Sequence, residues 1–435
     1  MKYLLITANF APRGASPALR TVHISKYLSA LANEVHLVTY DEETLTLFSD
    51  ADKALSHKVP REVKVTRILP GPIRRLLSKG NKDGQVRKSK KKLISNPITQ
   101  LLIPDPHVDS IPAFYKAAKA MIQVERPDVI VTFGYPYSMH IVGAMLRRKF
   151  RDIFWIADYG DPWAGIPVTE MPRPAWRRWL DKRLEASCLR WADLVTLTTA
   201  PTLDLYEAEF PFLKGKTATV EMGYDPDDFA AIAPMTRPAE MENKTVFLHA
   251  GRVYPAARDP KPFIDAVVQL KHNRPDLYSL LQVILLGETD PEVLDLIRNS
   301  GAEQAFHIID WVPMADSIAW MKAADQLLLF GNKGGIQVPG KVYQYIGSGQ
   351  PVFMTCESVD DPTVGVLQHV NNATIAENDA SAIQSHLLSI LGGKVDTRSE
   401  GKEQGSRFSW PEISDRLNMR AQGMIETKSA RGDVE

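Results

Sequence analysis

Short apolar runs alternate with amphipathic stretches along most of this chain. Tyr3 to Ala8 carries no charge, which predicts a strand buried on both faces, as in a parallel sheet. After a loop from Asn9 to Ala15, Ile24, Tyr27, Leu28 and Leu31 fall at i, i+3, i+4 and i+7 and predict one apolar helix face. Ser16 is the expected N-cap of that helix, with Pro17 at its first position. Glu34 to Tyr40 predicts a second strand, closing a β-α-β unit whose crossover implies parallel pairing. Further strands are predicted at Asp128–Phe133, Phe154–Ala157, Leu194–Thr198 and Thr217–Glu221. A second series predicts strands at Val246–Ala250, Leu280–Leu286, His307–Ile309, Gln326–Phe330 and Pro351–Met354. Helices such as Pro262–Leu270 and Ala315–Ala324 are expected between them, and a last helix over Trp410–Ile425, with a tail that frays from Glu426.

The two series are separated by a polar, proline-containing run ending near Asn243, which fits a domain boundary. A length of 435 residues agrees with two domains. Hydrophobic residues make up 44% and charged residues 24%, a globular rather than a disordered composition. Basic and acidic residues balance at 52 each, so no overall field draws the chain to nucleic acid, and no nucleic-acid module is recognisable. Cys188 and Cys356 are too few for a disulfide framework, which points to a reducing, cytoplasmic setting. The apolar start is broken by Asn9 and Arg13 too soon for a signal peptide. No stretch reaches the ~18–20 apolar residues that span a bilayer.

The densest chemical signal lies late in the chain. Leu327–Phe330 is an apolar strand that empties into the glycine loop Gly331–Gly335, and a short helix follows, opened by Pro339-Gly340 and closed by glycines. Strand, glycine loop and helix N-terminus present free N–H groups and a positive dipole end to an anion, which makes Gly334, Gly335, Val338 and Lys341 candidate phosphate neighbours. Gln344 stands one turn into the helix, within reach of sugar hydroxyls beside such a phosphate. Arg252 directly follows the strand ending at Ala250-Gly251, and Arg258 and Lys261 precede the next helix. Fixed cations there suit a leaving diphosphate; the alternative is ordinary surface cations on a loop.

These residues carry a resemblance. Val338 to Val352 resembles the carboxyl-domain signature of GT-B glycosyltransferases, in particular glycosyltransferase family 4, whose pattern runs roughly Pro-Ser-Lys-Leu-Tyr-Glu-Tyr-Leu-Ala-Ser-Gly-Lys-Pro-Val. The family's ribose-binding glutamate falls on Gln344 and its acidic partner, eight positions upstream, on Ile336. Gly223 to Phe229 resembles the family's passage into the interdomain linker. The resemblance implies an α/β, GT-B fold of two Rossmann-like doubly wound parallel-sheet domains facing across a cleft. Its expected halves are residues 1–228, an acceptor domain to which a helix at about 407–425 crosses back, and residues 229–406, a nucleotide-sugar donor domain.

The implied activity is transfer of a sugar from a UDP- or GDP-sugar to a saccharide or lipid-linked acceptor. Retention of configuration is implied, and an Arg/Lys pair takes the place of a divalent metal, so no metal or cofactor is expected. Arg252 matches the family's arginine, while Arg258 and Lys261 both remain candidates for its lysine. In the first loop the resemblance favours Gly14, between Arg13 and Ser16, for a contact to acceptor or donor phosphate; a plain β-α turn is the alternative. Asp158-Tyr159-Gly160-Asp161-Pro162-Trp163 resembles an Asp-x-x-Asp-Pro-Trp segment of a bacterial subgroup. Asp158 or Asp161 is therefore a candidate to orient the acceptor hydroxyl, or else a cap, with Trp163 packing.

Arg74, Arg75, Lys79, Lys82, Arg87, Lys88, Lys90, Lys91 and Lys92 form a basic run, and Trp176 and Trp179 mix with Arg173, Arg177 and Arg178 further on. Such segments suit an anionic inner-membrane face or form a solvated loop. His23, His36, His107, His140, His249 and His307 show no metal-ligand spacing. Two rival readings remain: a GT-B nucleotide-sugar 2-epimerase, and a GT-B protein that binds a sugar, nucleotide or partner without turnover.

Overall fold

The computed structural model describes residues 1–46, 52–73, 75, 101–164, 174–253, 255–334, 336–393 and 404–432. The chain divides into two compact units, Met1–Glu221 with Ile413–Glu435, and Met222–Glu412. The first holds a parallel sheet of β1 (Lys2–Ile6), β2 (Glu34–Tyr40), β3 (Lys64–Ile68), β4 (Val129–Gly134), β5 (Phe154–Tyr159), β6 (Leu194–Leu197) and β7 (Thr217–Thr219). Their order is β3-β2-β1-β4-β5-β6-β7. Leu4 of the central strand lies opposite His36 on one side and Ile130 on the other. Tyr3, Leu4, Leu5 and Ile6 are all fully buried, the outcome that an uncharged run requires when both sheet faces are covered.

The second unit holds β8 (Thr245–Ala250), β9 (Leu281–Leu286), β10 (Phe306–Ile309), β11 (Gln326–Phe330), β12 (Val352–Cys356) and β13 (Ala373–Glu377), also parallel, in the order β10-β9-β8-β11-β12-β13. Side chains alternate between two core layers. Val246, Leu248, Leu327 and Leu329 join Tyr343 and Tyr345 on one face, whereas Phe247, Leu328 and Phe330 join Phe263 on the other. In both sheets the strand order reverses once, between β1 and β4 and between β8 and β11. The connections that leave these neighbours diverge, which opens a crevice beyond their carboxyl ends where such sheets bind ligands.

Two local expectations change, and two edge strands were not anticipated. Ser16 is the first helical residue of the helix Ser16–Ala30 rather than its cap; the cap position is Ala15, with no side-chain cap bond. The final helix runs from Trp410 to Gly432, so the chain does not fray at Glu426. Its last turns are held by Gln422 to Glu426 at 2.9 Å, by Thr427 to the Gly423 carbonyl at 2.7 Å, and by Lys428 with Asp193 at 3.1 Å. The edge strands β3 and β13 escape an apolar-run reading, because Lys-Val-Thr-Arg-Ile and Ala-Thr-Ile-Ala-Glu keep polar groups toward water, as edges do. Among the described residues no helix is long and apolar enough to cross a membrane. Arg74, Lys79, Lys82, Arg87, Lys88, Lys90, Lys91, Lys92, Arg173 and Gly335 lie outside the described residues.

Candidate functional site

The reversal between β8 and β11 in the second unit is built around a buried histidine. His249, near the carboxyl end of β8, has no exposed surface; its Nδ1 lies 2.9 Å from the Leu328 carbonyl and its Nε2 2.8 Å from Lys341 Nζ. Because the carbonyl can only accept, Nδ1 carries the proton and Nε2 accepts from Lys341. One turn along the helix Lys341–Ser348, the Tyr345 hydroxyl accepts from the Ala250 N–H at 2.8 Å and donates to Leu328 at 3.3 Å. The helix is thus tied to the ends of both strands. Burial pushes the His249 pKa far down, helped by the Lys341 charge. Burial also pushes the Lys341 pKa far down, helped by the Arg258 charge. Gly251 turns the chain away from β8 with φ +119°, and a Cβ there would stand 3.0 Å from Lys341 Nζ, so glycine is required twice over.

Arg258 is held by Asn332, whose Oδ1 accepts from Nε at 3.0 Å. Asn332 in turn donates to the Gln337 carbonyl at 2.7 Å and, through its backbone N–H, to Asp361 at 2.8 Å. This network fixes the loop between β11 and the helix. The helix starts after Gly340 with no side-chain cap; the Val342 N–H is taken by the Pro339 carbonyl at 3.0 Å, and the positive end of the helix dipole lies at this turn. Gly334 is exposed with φ +63°, and Val338 is half-buried against the core. Gln344 is half-buried, its amide nitrogen 3.5 Å from the Gly223 carbonyl, a contact at the limit of hydrogen bonding. Arg252 is about half exposed and pairs with Asp290 at 3.1 Å. An exposed pair of this kind exchanges partners at little cost.

Lys261 points elsewhere. It opens the helix Lys261–Asn273, pairs with Asp265 one turn on at 2.5 Å, and lines a groove with Ile264, Val268, Glu292 and Leu296. Of the two candidates for the second cation, Arg258 therefore stands beside Lys341, and Lys261 does not. His249, Asn332 and Asp361 were not singled out by sequence. The available signal was a histidine and two polar residues at the very ends of otherwise apolar strands or their loops.

In the first unit the two candidate aspartates differ. Asp158, at the carboxyl end of β5, is buried and accepts from Arg20 Nε at 2.8 Å, Arg20 Nη2 at 2.7 Å and Thr196 Oγ1 at 2.5 Å. Arg20 also donates to the carbonyls of Glu221 at 2.8 Å and Val220 at 3.0 Å. Both carboxylate oxygens are consumed inside the protein. Asp161, by contrast, is exposed, although the crowding around its carboxyl still raises its pKa by desolvation. Trp163 packs: it is buried, stacks on Tyr137 at 5.2 Å, and donates to Asp181 at 3.3 Å. Behind it Glu185 accepts from Tyr206 at 2.6 Å and from the Ala164 N–H at 3.2 Å, and burial pushes its pKa up to about 7. Gly14 is exposed in the loop after β1.

One carboxylate group at the amino ends of the first sheet's strands has ligand atoms close enough for a metal: Glu34, His36 and Glu125, all within 4.8 Å. The His36 contact at 2.9 Å, then Lys64 at 3.0 Å and Lys2 at 3.3 Å, hold the Glu34 pKa down at about 2. That arrangement is a satisfied ion-pair cluster.

No family model and no curated protein sequence matches this chain. Solved structures do. HepE of Anabaena, crystallised with UDP, is 15% identical, covers 97% of this chain and all of its own, and superposes with a TM-score of 0.61. A sucrose-phosphate synthase of Thermosynechococcus elongatus is 14% identical over 98% of this chain and 100% of its own, at 0.62. A putative UDP-N-acetylglucosamine 2-epimerase of Listeria monocytogenes is 11% identical over 98% and 97%, at 0.56. At these identities the likeness establishes architecture: two Rossmann-like units of parallel strands, the GT-B fold.

Proposed function

We propose that the chain is a glycosyltransferase which takes a UDP- or GDP-sugar in its second unit and transfers the sugar to a saccharide or lipid-linked acceptor. The observation that carries this reading is the group of basic side chains at the carboxyl ends of β8 and β11: Lys341 at the start of its helix, Arg258 on Asn332, and Arg252 just after β8. A diphosphate needs such a group, since breaking the sugar–phosphate bond leaves its electron pair on the β-phosphate. HepE with UDP bound supplies a protein of the same fold in which a nucleotide is held. The acceptor hydroxyl attacks the anomeric carbon on the face the diphosphate leaves, giving retention, and no divalent metal takes part.

Within this reading Arg252 and Arg258 stabilise the leaving group, with Lys341 beside them and Lys261 dropped from the role. Gly334 and Val338 shape the phosphate loop, and Gln344 meets the ribose. Asp161 is the candidate to touch the acceptor, with Gly14 in the loop after β1, while Asp158 positions Arg20. The chain works in the cytoplasm, and the basic run at 74–92 together with exposed Trp176 and Trp179 suits an anionic membrane face.

The test is product analysis with a panel of nucleotide sugars, read beside thermal shift. Transfer to an added acceptor supports the proposal. Isomerised donor would instead identify a 2-epimerase, and binding without turnover would favour the binding-protein reading, for which Gln344 and Ile336 in place of acids are the specific support. Gln344→Ala is expected to weaken donor binding, and Gln344→Glu to preserve or tighten it through a charge-assisted bond.

A further inference from the structure

We infer that Lys341 takes up a proton when the donor's diphosphate binds, with His249 holding the uncharged amine in readiness; this rests on the donor-site reading above. The geometry leaves the amine no reason to be charged in the free protein. Its single hydrogen-bond partner among the described residues is the Nε2 lone pair of His249, at 2.8 Å; an imidazole that accepts there while donating from Nδ1 to Leu328 is neutral and brings no negative charge to the amine. No carboxylate among the described residues stands within ion-pair distance of Lys341 Nζ.

The surrounding charged and titratable groups are otherwise engaged. Arg252 pairs with Asp290 at 3.1 Å and Arg258 is bound to Asn332 at 3.0 Å, so two more cations share the neighbourhood. Lys333 pairs with Asp259 at 3.3 Å across the same loops. Asp361 spends one oxygen on the Asn332 N–H and the other on the Thr363 N–H, each at 2.8 Å. Tyr345 is committed to Ala250 and Leu328. Burial and the Arg258 charge both favour the neutral amine, in agreement with its depressed pKa. A diphosphate bound next to the amine reverses that balance by bringing negative charge to it.

The linkage has a definite sign. In the pH range between the depressed pKa of free Lys341 and its raised value in the complex, binding consumes a proton, and donor affinity falls by up to about tenfold for each pH unit gained. The probes are UDP-glucose and GDP-mannose, diphosphate diesters that do not themselves titrate near neutrality. Calorimetry is run at mildly alkaline pH in two buffers of very different ionisation enthalpy.

The expected wild-type result is a buffer-dependent heat equivalent to nearly one proton taken up per donor. Lys341→Arg, permanently charged, is expected to bind with no proton uptake and a flat pH profile, as is Lys341→Met with weaker affinity. Wild-type binding without proton uptake overturns the inference and leaves the donor site standing. Uptake that persists in Lys341→Arg overturns it too, since another group then takes the proton. If neither probe binds at any pH, and no other nucleotide sugar does, the donor-site reading falls and takes the inference with it.

Discussion

Replacing Asp158 by Asn separates a positioning role from a catalytic one. In the native protein the carboxylate receives two guanidinium N–H bonds at 2.7 and 2.8 Å and the Thr196 hydroxyl at 2.5 Å, while Arg20 is only 4% exposed. An Asn keeps one acceptor oxygen but turns its amide N–H₂ toward a donor, so at least one guanidinium N–H faces another donor out of water. The guanidinium also loses the Asp158 counter-charge, while its bonds to the carbonyls of Val220 and Glu221 remain. Breaking a buried pair from one side costs about 3–5 kcal/mol, because the remaining charge is stranded. For a unit of this size that corresponds to a fall in Tm of roughly 6–20 °C. Denaturant unfolding monitored by tryptophan fluorescence reads the loss directly, and the double variant Arg20→Met/Asp158→Leu is expected to recover much of it, since no charge is left buried. If Asp158→Asn unfolds within ~1 kcal/mol of wild type yet loses transfer activity, the buried-pair argument is wrong and Asp158 belongs to the chemistry.

Three further outcomes are expected. The Glu185 carboxyl, with a folded pKa of about 7 against 4.5 in the free residue, keeps a proton that the unfolded chain has lost; its stabilising contribution is full below 4.5 and gone above about 7. Glu185→Gln should therefore flatten the stability profile and exceed wild type at alkaline pH by on the order of 3 kcal/mol, the free-energy equivalent of that pKa difference; denaturant midpoints at acid and alkaline pH check this, and equal pH slopes refute it. Gly251→Ala forces an L-residue to φ +119° and displaces Lys341, so it should cost ~1–3 kcal/mol and weaken nucleotide binding, measured by calorimetry. Nucleotide affinity should survive EDTA; its complete loss, with recovery on adding magnesium or manganese, would rule out cation-only phosphate binding.

The centre of each sheet was legible because β1, β8, β11 and β12 are buried on both faces, which leaves an uninterrupted apolar run in the sequence. The edges were not, since β3 pairs on one side only and Lys64 and Arg67 can face water. The loop-to-helix anion motif was visible as well, because glycine, proline and strand punctuation are local. What sequence concealed was pairing at long range. Lys261 and Arg258 read alike in sequence; in the structure Arg258 is bound to Asn332, whereas Lys261 opens the next helix and pairs with Asp265 one turn on. Asp158 looked like an open carboxylate at a strand end because Arg20 lies 138 positions away in the chain. His249 had no neighbour in sequence to mark it, since both of its partners come from other strands and helices.

The final helix has a consequence for how the protein is made. Ile413, Leu417 and Ala421 are buried, Tyr3 reaches Asn418 at 2.9 Å, and Arg416 bonds Glu221 at 3.1 Å, all within the unit that begins at Met1. The opening strand of that unit thus waits for its last helix until the intervening Met222–Glu412 unit has left the ribosome. At about 5–20 residues per second the delay lasts roughly 10–40 s, during which the nascent first unit exposes the apolar seat of that helix. The second unit, continuous in sequence, can close first. Synthesis order and folding order are then expected to invert, and a chain stopped at Glu412 should yield a folded second unit beside a first unit that lacks its last helix.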